Sequence, residues 1–340
     1  MKNLSNTQQG PCLAVLAALI VLLSLVSLCL GEQWNPLHEV LSAPFTNPDS
    51  VSAVIVREIR LPRTLIAIIA GVSLGLAGAC MQGLLQNPLA SPGLVGSSSG
   101  AALGAVLALY FFSGILHPHV VPLAGMLGAL ITTATVYMLA GRDSSVSTLI
   151  LAGVAINAIA AALLSLLLNL APSPFAVREL VLWTLGDIAD RSLQDVWIML
   201  PATLAGWAML SGTGRSLDAL TLGERTASSM GVNLSALSWR VFIAVSLCVG
   251  AAVATTGMIG FIGLVVPHLL RPFAHYQPSR LLPLAALGGA VMLLSADIGV
   301  RLIAMYSRIP VPLKVGVLTA LVGAPFFLYL IIKSRRHYQS

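Results

Sequence analysis

The sequence is poor in charge. Only 9% of its 340 residues are Asp, Glu, Lys or Arg, against roughly 25% in a soluble domain whose surface faces water. That scarcity excludes an ordinary water-soluble globule. With 57% hydrophobic residues and a mean hydropathy of +0.92, lipid is the solvent that remains. Cysteine is scarce as well. Cys12, Cys29, Cys80 and Cys248 each sit inside an apolar run, without metal spacing or a pairing pattern, so neither a metal site nor a disulfide framework is expected. No Gly-x-x-x-x-Gly-Lys-Ser/Thr segment and no His-Glu-x-x-His occurs, which removes the phosphate cradle and the zinc-hydrolase helix. The net charge of +6 does not point to nucleic acid, because the basic residues are scattered singly between apolar runs.

What is present is a succession of apolar runs. Segments near 11–30, 63–84, 94–113, 119–140, 146–170, 193–212, 237–256, 258–271, 281–300 and 315–333 approach the roughly 20 residues a membrane helix needs. The first invites comparison with a secretory leader. At about 20 residues it exceeds a leader core, and Leu28 is a poor residue ahead of a cleavage point, so it reads as a span. The eighth is short, interrupted by Pro267 and His268 before Arg271. With ten spans and a cytoplasmic N-terminus, Lys2, Arg142, Arg215, Arg225, Arg240, Arg271, Arg280, Lys333, Arg335 and Arg336 fall inside. Arg57, Arg60, Arg63, Arg178, Arg191, Arg301, Arg308 and Lys314 fall outside. The bias is weak for the positive-inside rule, but omitting the eighth span would send the basic tail outside. The expectation is an all-α polytopic transmembrane bundle of about ten spans, residues 1–340 forming one transmembrane domain with both termini cytoplasmic. Arginines held outside against the usual preference invite a role there.

Small residues recur at four-residue spacing, Gly71, Gly75 and Ala79, then Gly96, Gly100 and Gly104, which lets helix backbones approach closely in lipid. Gly83-Leu84-Leu85-Gln86-Asn87-Pro88 and Gly263-Leu264-Val265-Val266-Pro267 look faintly alike. Either an inverted repeat or chance accounts for that.

Four separated motifs carry a resemblance. They are Arg60-Leu61-Pro62-Arg63, Gln86-Asn87-Pro88-Leu89-Ala90-Ser91-Pro92-Gly93, Gly257-Met258-Ile259-Gly260-Phe261-Ile262-Gly263-Leu264-Val265-Val266-Pro267-His268, and Gly316 through Phe327. In this order, over about residues 50–335, the chain resembles the permease family of ATP-binding-cassette importers for ferric siderophores, haem and vitamin B12, type II importers. The resemblance implies ten spans per subunit, a second permease copy (identical or paralogous), two cytoplasmic ATPase subunits and a periplasmic binding protein, in a bacterial inner membrane. It implies no cofactor in this chain and no catalysis by it. ATP and magnesium belong to the partner ATPase, consistent with the missing phosphate loop.

The resemblance also assigns sites. The loop over about 212–235 would supply coupling helices to the ATPase, through Leu217, Leu220, Leu222, Gly223, Glu224, Arg225, Met230 and Gly231. Ser216 suits a helix start, Leu217 and Leu220 share one helical face, and Gly223 and Gly231 suit helix ends; a bland amphipathic surface loop is the alternative. Arg60, Arg63 and Arg301 would dock carboxylates of the binding protein, steering and orienting it; Arg57 and Arg308 are weaker members, and snorkelling anchors are the alternative. Asn157 and Asn169, in a span that lines the pathway in relatives, are either pathway groups or local helix-to-helix bonds. His117, His119 and His268 are not expected to bind metal.

Two stretches depart from the family pattern. Pro312-Leu313-Lys314-Val315-Gly316 lacks an acid and adds a base before the last span, and Gly186-Asp187-Ile188-Ala189-Asp190-Arg191 replaces a Gly/Ser-rich turn. Both lie where cargo or its carrier arrives. An ion-driven secondary transporter would need acids within its spans, and Asp297 is the one candidate. Iron chelates lead as cargo on family frequency alone, with vitamin B12 or molybdate as alternatives.

Overall fold

The computed structural model describes residues 9–31, 35–46, 50–111, 119–141, 146–171, 173–306 and 313–338. Among them every regular element is helical. In chain order these are α1 (Gln9–Cys29), α2 (Leu37–Thr46), α3 (Val51–Ile55), a π turn (Val56–Arg60), α4 (Leu61–Leu84), a 3-10 turn (Pro92–Val95), α5 (Ser97–Phe111), α6 (Val120–Ala140), α7 (Val146–Asn169) and α8 (Pro174–Thr184). There follow α9 (Leu193–Leu210), α10 (Gly214–Leu220), α11 (Glu224–Ser229), α12 (Leu234–Thr256), α13 (Ile262–Leu270), α14 (Pro278–Tyr306) and α15 (Val315–Tyr338). Each of the ten expected spans finds a helix, and seven are long and apolar enough to cross a membrane unaided. Besides α13, the short ones are α5 and the apolar part of α15, Val315–Tyr329.

The centre is α4 against α14, antiparallel and heavily buried. Gly71 and Gly75 lie directly on Gly289 and Ala285, so a Cβ at either position would meet the other helix's backbone. That is the close approach that small residues permit when lipid offers no hydrophobic drive. Gly100 and Gly104 serve α5 against Gly128 and Ala124 of α6 in the same way. Gly96 differs from the expectation: it is a left-handed hinge (φ 80°) before α5, not part of it. The first helix runs back along this core, with Gln9 near Arg280 and Ser27 2.7 Å from Thr64. Two ends are thereby defined. One holds Arg60, Arg63 and Arg301; the other holds α10 and α11.

Backbone leaves the helical path at two places inside the bundle. Residues 85–96 turn back from the α10 end, bringing buried Pro92 beside Gly263, which itself lies on Gly78. Gly78 is six residues from the end of α4, so this segment dips about 9 Å inward. Residues 257–261 run from α12 to α13 alongside α15, with Gly316 at Met258 and Gly323 at Phe261. Gly257 (φ 70°) and Phe261 (φ 66°) both take positive φ in this stretch, and the nine residues of α13 rise only about 13 Å. The eighth span is therefore only partly helical. Such backbone is tolerated at membrane depth only where protein or water meets it, and here protein does.

The suspected inverted repeat is not what the two look-alike stretches form. Gly83–Pro88 closes α4, whereas Gly263–Pro267 opens α13. Gly78 meets Gly263, Gln82 donates to the Leu264 carbonyl, and Arg271 donates to Gln82. The two helices therefore run in the same direction, and an inverted pair would oppose.

Candidate functional site

At the arginine end, the three expected docking residues turn inward. Arg60 is 6% exposed and donates to the Leu28 and Cys29 carbonyls at 2.8 and 3.0 Å and to Asn35 Oδ1 at 3.2 Å. Arg63 Nη2 and Arg301 Nη2 lie 2.7 and 2.6 Å from the two carboxylate oxygens of Asp297, which is fully buried. Arg301 also donates to the Ser27 and Leu30 carbonyls. In the chain by itself, the three arginines expected to dock a binding protein are thus engaged by internal acceptors. A guanidinium near apolar spans is costly unless hydrogen-bonded; carbonyls at the end of α1 and Asp297 supply acceptors here, leaving Arg301 Nε buried without one. Arg57 is the exposed member, paired with Glu58 at 2.8 Å; Arg308 lies outside the described residues. Asp297, the acid that an ion-driven transporter would need, is consumed by this cluster.

A second junction lies where α8, α12 and α15 meet. The Asp187 amide donates to the Thr256 carbonyl at 2.7 Å and the Gly316 amide to the Gly186 carbonyl at 2.9 Å. Gly257, at φ 70°, abuts the Trp183 carbonyl so closely that no Cβ fits. Lys314 Nζ reaches Asp187 Oδ2 at 2.5 Å, both side chains mostly buried. The two stretches that depart from the family pattern are therefore partners. Sequence reasoning treated them separately, and it missed α8 altogether, although Ser173-Pro174 is a helix-start signal.

Asn157 is a helix-to-helix bond. Its Nδ2 donates to the Gly93 carbonyl at 2.8 Å and its Oδ1 accepts from Ser99, fastening the re-entrant segment to α7. Asn169 is exposed at the far end of α7. His268 stacks edge-on to Phe326, centroids 6.3 Å apart. His119 is the residue before α6, and His117 lies outside the described residues.

At the α10 end, two short helices form as expected, Gly223 (φ 98°) separating them and Gly231 (φ 86°) following the second. Their faces differ from the expectation. Ser216 lies within α10, which follows Thr213, whose hydroxyl donates back to the Leu210 carbonyl rather than capping the helix. Leu217 is fully buried against Gly83 and Leu220 is buried too. These leucines bind the loop to the bundle rather than offering a ridge to a partner. Leu222 and Met230 are the exposed apolar side chains, at 62% and 61%, flanked by exposed Glu224 and Arg225. Asp218 accepts from the Ser279 amide at 2.8 Å, tying α10 to the start of α14.

An all-helical bundle with apolar spans, re-entrant backbone at membrane depth and a helical loop projecting at one end defines a membrane permease. A profile described as the FecCD transport family matches residues 19–333. The chain is 38% identical to the vitamin B12 import system permease protein BtuC of Klebsiella pneumoniae, over 94% of this chain and 93% of that one. It is 40% identical to the same-named protein of Salmonella newport, over 94% of each. A solved structure described as an inward-facing metal-chelate type ABC transporter superposes at TM-score 0.83, with 30% identity, over 94% of this chain and 98% of that one. PsaBC from Streptococcus pneumoniae shares the fold at TM-score 0.52 and 17% identity, over 79% and 89%. The chain belongs to the FecCD family of type II ABC importer permeases.

Proposed function

We propose that this chain is the membrane-spanning subunit through which an importer moves a large metal chelate, a corrinoid of the vitamin B12 kind ahead of a ferric siderophore or haem. One observation carries the reading: identity of 38–40% over nearly the whole length to permeases named for vitamin B12 import. It reverses the order expected from sequence, where iron chelates led on frequency. On this reading the α10 end faces the cytoplasm and an ATPase subunit that supplies the hydrolysis, and the arginine end faces a binding protein. Exposed Leu222 and Met230 support the first contact, and exposed Arg57 supports the second. On this reading a second permease copy, identical or paralogous, completes the membrane part of the importer.

The test is uptake of radiolabelled cyanocobalamin, a ferric siderophore and haem by cells with and without the chain, each with the partner ATPase active or inactivated. Cobalamin uptake that needs both the chain and ATP hydrolysis is expected. Uptake of an iron chelate alone would move the cargo, and uptake persisting on an ion gradient would overturn the importer reading.

A further inference from the structure

Beside the exposed loop, where α4 ends and α13 turns into α14, lies a recess of about 120 Å³ lined by Gln82, Gln86, Thr221, Arg271 and Tyr276. Arg271, just past α13, is the one cation in its wall. Its Nη2 donates 2.8 Å to Gln82 Oε1, a neutral amide that is itself held by the Leu264 carbonyl. Among the described residues no carboxylate pairs with Arg271. Burial pushes its pKa down from the usual arginine value, an effect opposed by Tyr276. A guanidinium half out of water with only an amide partner is an incomplete arrangement, because its planar fork matches a carboxylate or phosphate.

The surroundings indicate what completes it. Between positions 212 and 280 five arginines (215, 225, 240, 271 and 280) face two acids, Asp218 and Glu224, and Asp218 already accepts from the Ser279 amide. Tyr276 in the wall, and Leu222 and Phe273 within two positions of lining residues, are all at least half exposed, as is Met230 on the same loop as Leu222. Aromatic, Met and Arg side chains together are the composition of a protein-binding core rather than of a solvated loop.

We propose that this recess receives an Asp or Glu side chain of the cytoplasmic ATPase subunit, seated on Arg271. The docking face then extends from the α10–α11 loop onto the 271–277 turn. The inference rests on the importer reading above and adds a specific anchor to it. Leu222 and Met230 supply apolar contact, and Arg271 fixes register, since a like charge or a missing one there is penalised once water is excluded.

The experiment co-expresses the chain with its ATPase and purifies the complex through a tag on this chain. R271E and R271Q are compared with the parent for thermal melting, retained ATPase and ATP-driven uptake. Both variants are expected to melt as the parent does and to retain at least about tenfold less ATPase. Changing one ATPase acid to Lys should then restore R271E while weakening the parent. R271E that retains ATPase in full overturns the proposal alone; a parent that retains none overturns the importer reading with it. ATPase loss that no acid-to-Lys change repairs, but that tracks the phosphatidylglycerol content of the vesicles, assigns the recess to a lipid phosphate and overturns the proposal. Should R271E fail to fold, R271Q keeps an amide opposite Gln82. Tyr276→Cys then reports contact by disulfide formation with a cysteine placed at each ATPase acid in turn; no crosslink to any acid overturns the proposal.

Discussion

Asp187 and Lys314, 127 positions apart in the chain, meet with Oδ2 and Nζ 2.5 Å apart and close the junction between the α8–α9 loop and the start of α15. Each charge compensates the other. A base without its acid, or the acid without its base, would leave a mostly buried charge uncompensated.

Removing either partner alone is therefore expected to destabilise the chain. For a pair between the exposed and fully buried limits, Lys314→Ala or Asp187→Ala should cost about 1–3 kcal/mol. The double variant should cost less than the sum, and the exchange D187K/K314D should recover part of the loss. Thermal melting in detergent across the four variants measures the coupling; strict additivity would show that the pair contributes nothing.

Asp297 carries more. It is the shared acceptor of Arg63 and Arg301, and Asp297→Asn leaves two guanidiniums without charge compensation. A loss of about 3–5 kcal/mol is expected, seen as a lower melting temperature and a sharp fall in membrane-inserted protein. If the Asn variant melted as the parent does, the cluster would not be what fastens α1 to α4 and α14.

The contact of Gly78 with Gly263 has no room for a side chain. Gly78→Val should cost about 1–3 kcal/mol or more through overpacking, whereas Gly212→Ala, which meets no atom but sits at φ 79°, should be milder. Comparing the two melts separates steric crowding from backbone strain.

Two leucines of one loop should behave oppositely. Leu217→Asp places a charge in the core and is expected to abolish folded protein. Leu222→Asp should leave the melt unchanged and lower ATPase retained by the complex several-fold, the size of a typical exposed interface contact. Equal melting of the two variants would contradict the burial that distinguishes them.

Helix positions were legible because hydropathy along the chain is governed by the same lipid that fixes helix length. Small-residue spacing at Gly71 and Gly75 correctly announced a close helix pair. Side-chain direction was less legible. Leu217 and Leu222 look equivalent in sequence, and only the placement of Gly83 under α10 decides which one is buried. That Arg60 and Arg301 find acceptors at the end of α1 is not legible either, because nothing local brings that end to them. Helix α8 escaped because eleven residues carry too little apolar length to register. The pairing of Asp187 with Lys314 is invisible until three distant segments are folded together.

The partly non-helical eighth span has a consequence for how the protein is made. A nine-residue helix preceded by unpaired backbone cannot partition into a bilayer alone, because its free amide and carbonyl groups would face hydrocarbon. The residues packed against it are Gly186 of the α8–α9 loop and Gly316 and Gly323 of α15, which comes last of the described helices. The ribosome must therefore release the final helix before this crossing is sealed, and until then α13 depends on shelter from α4 or from the insertion machinery itself.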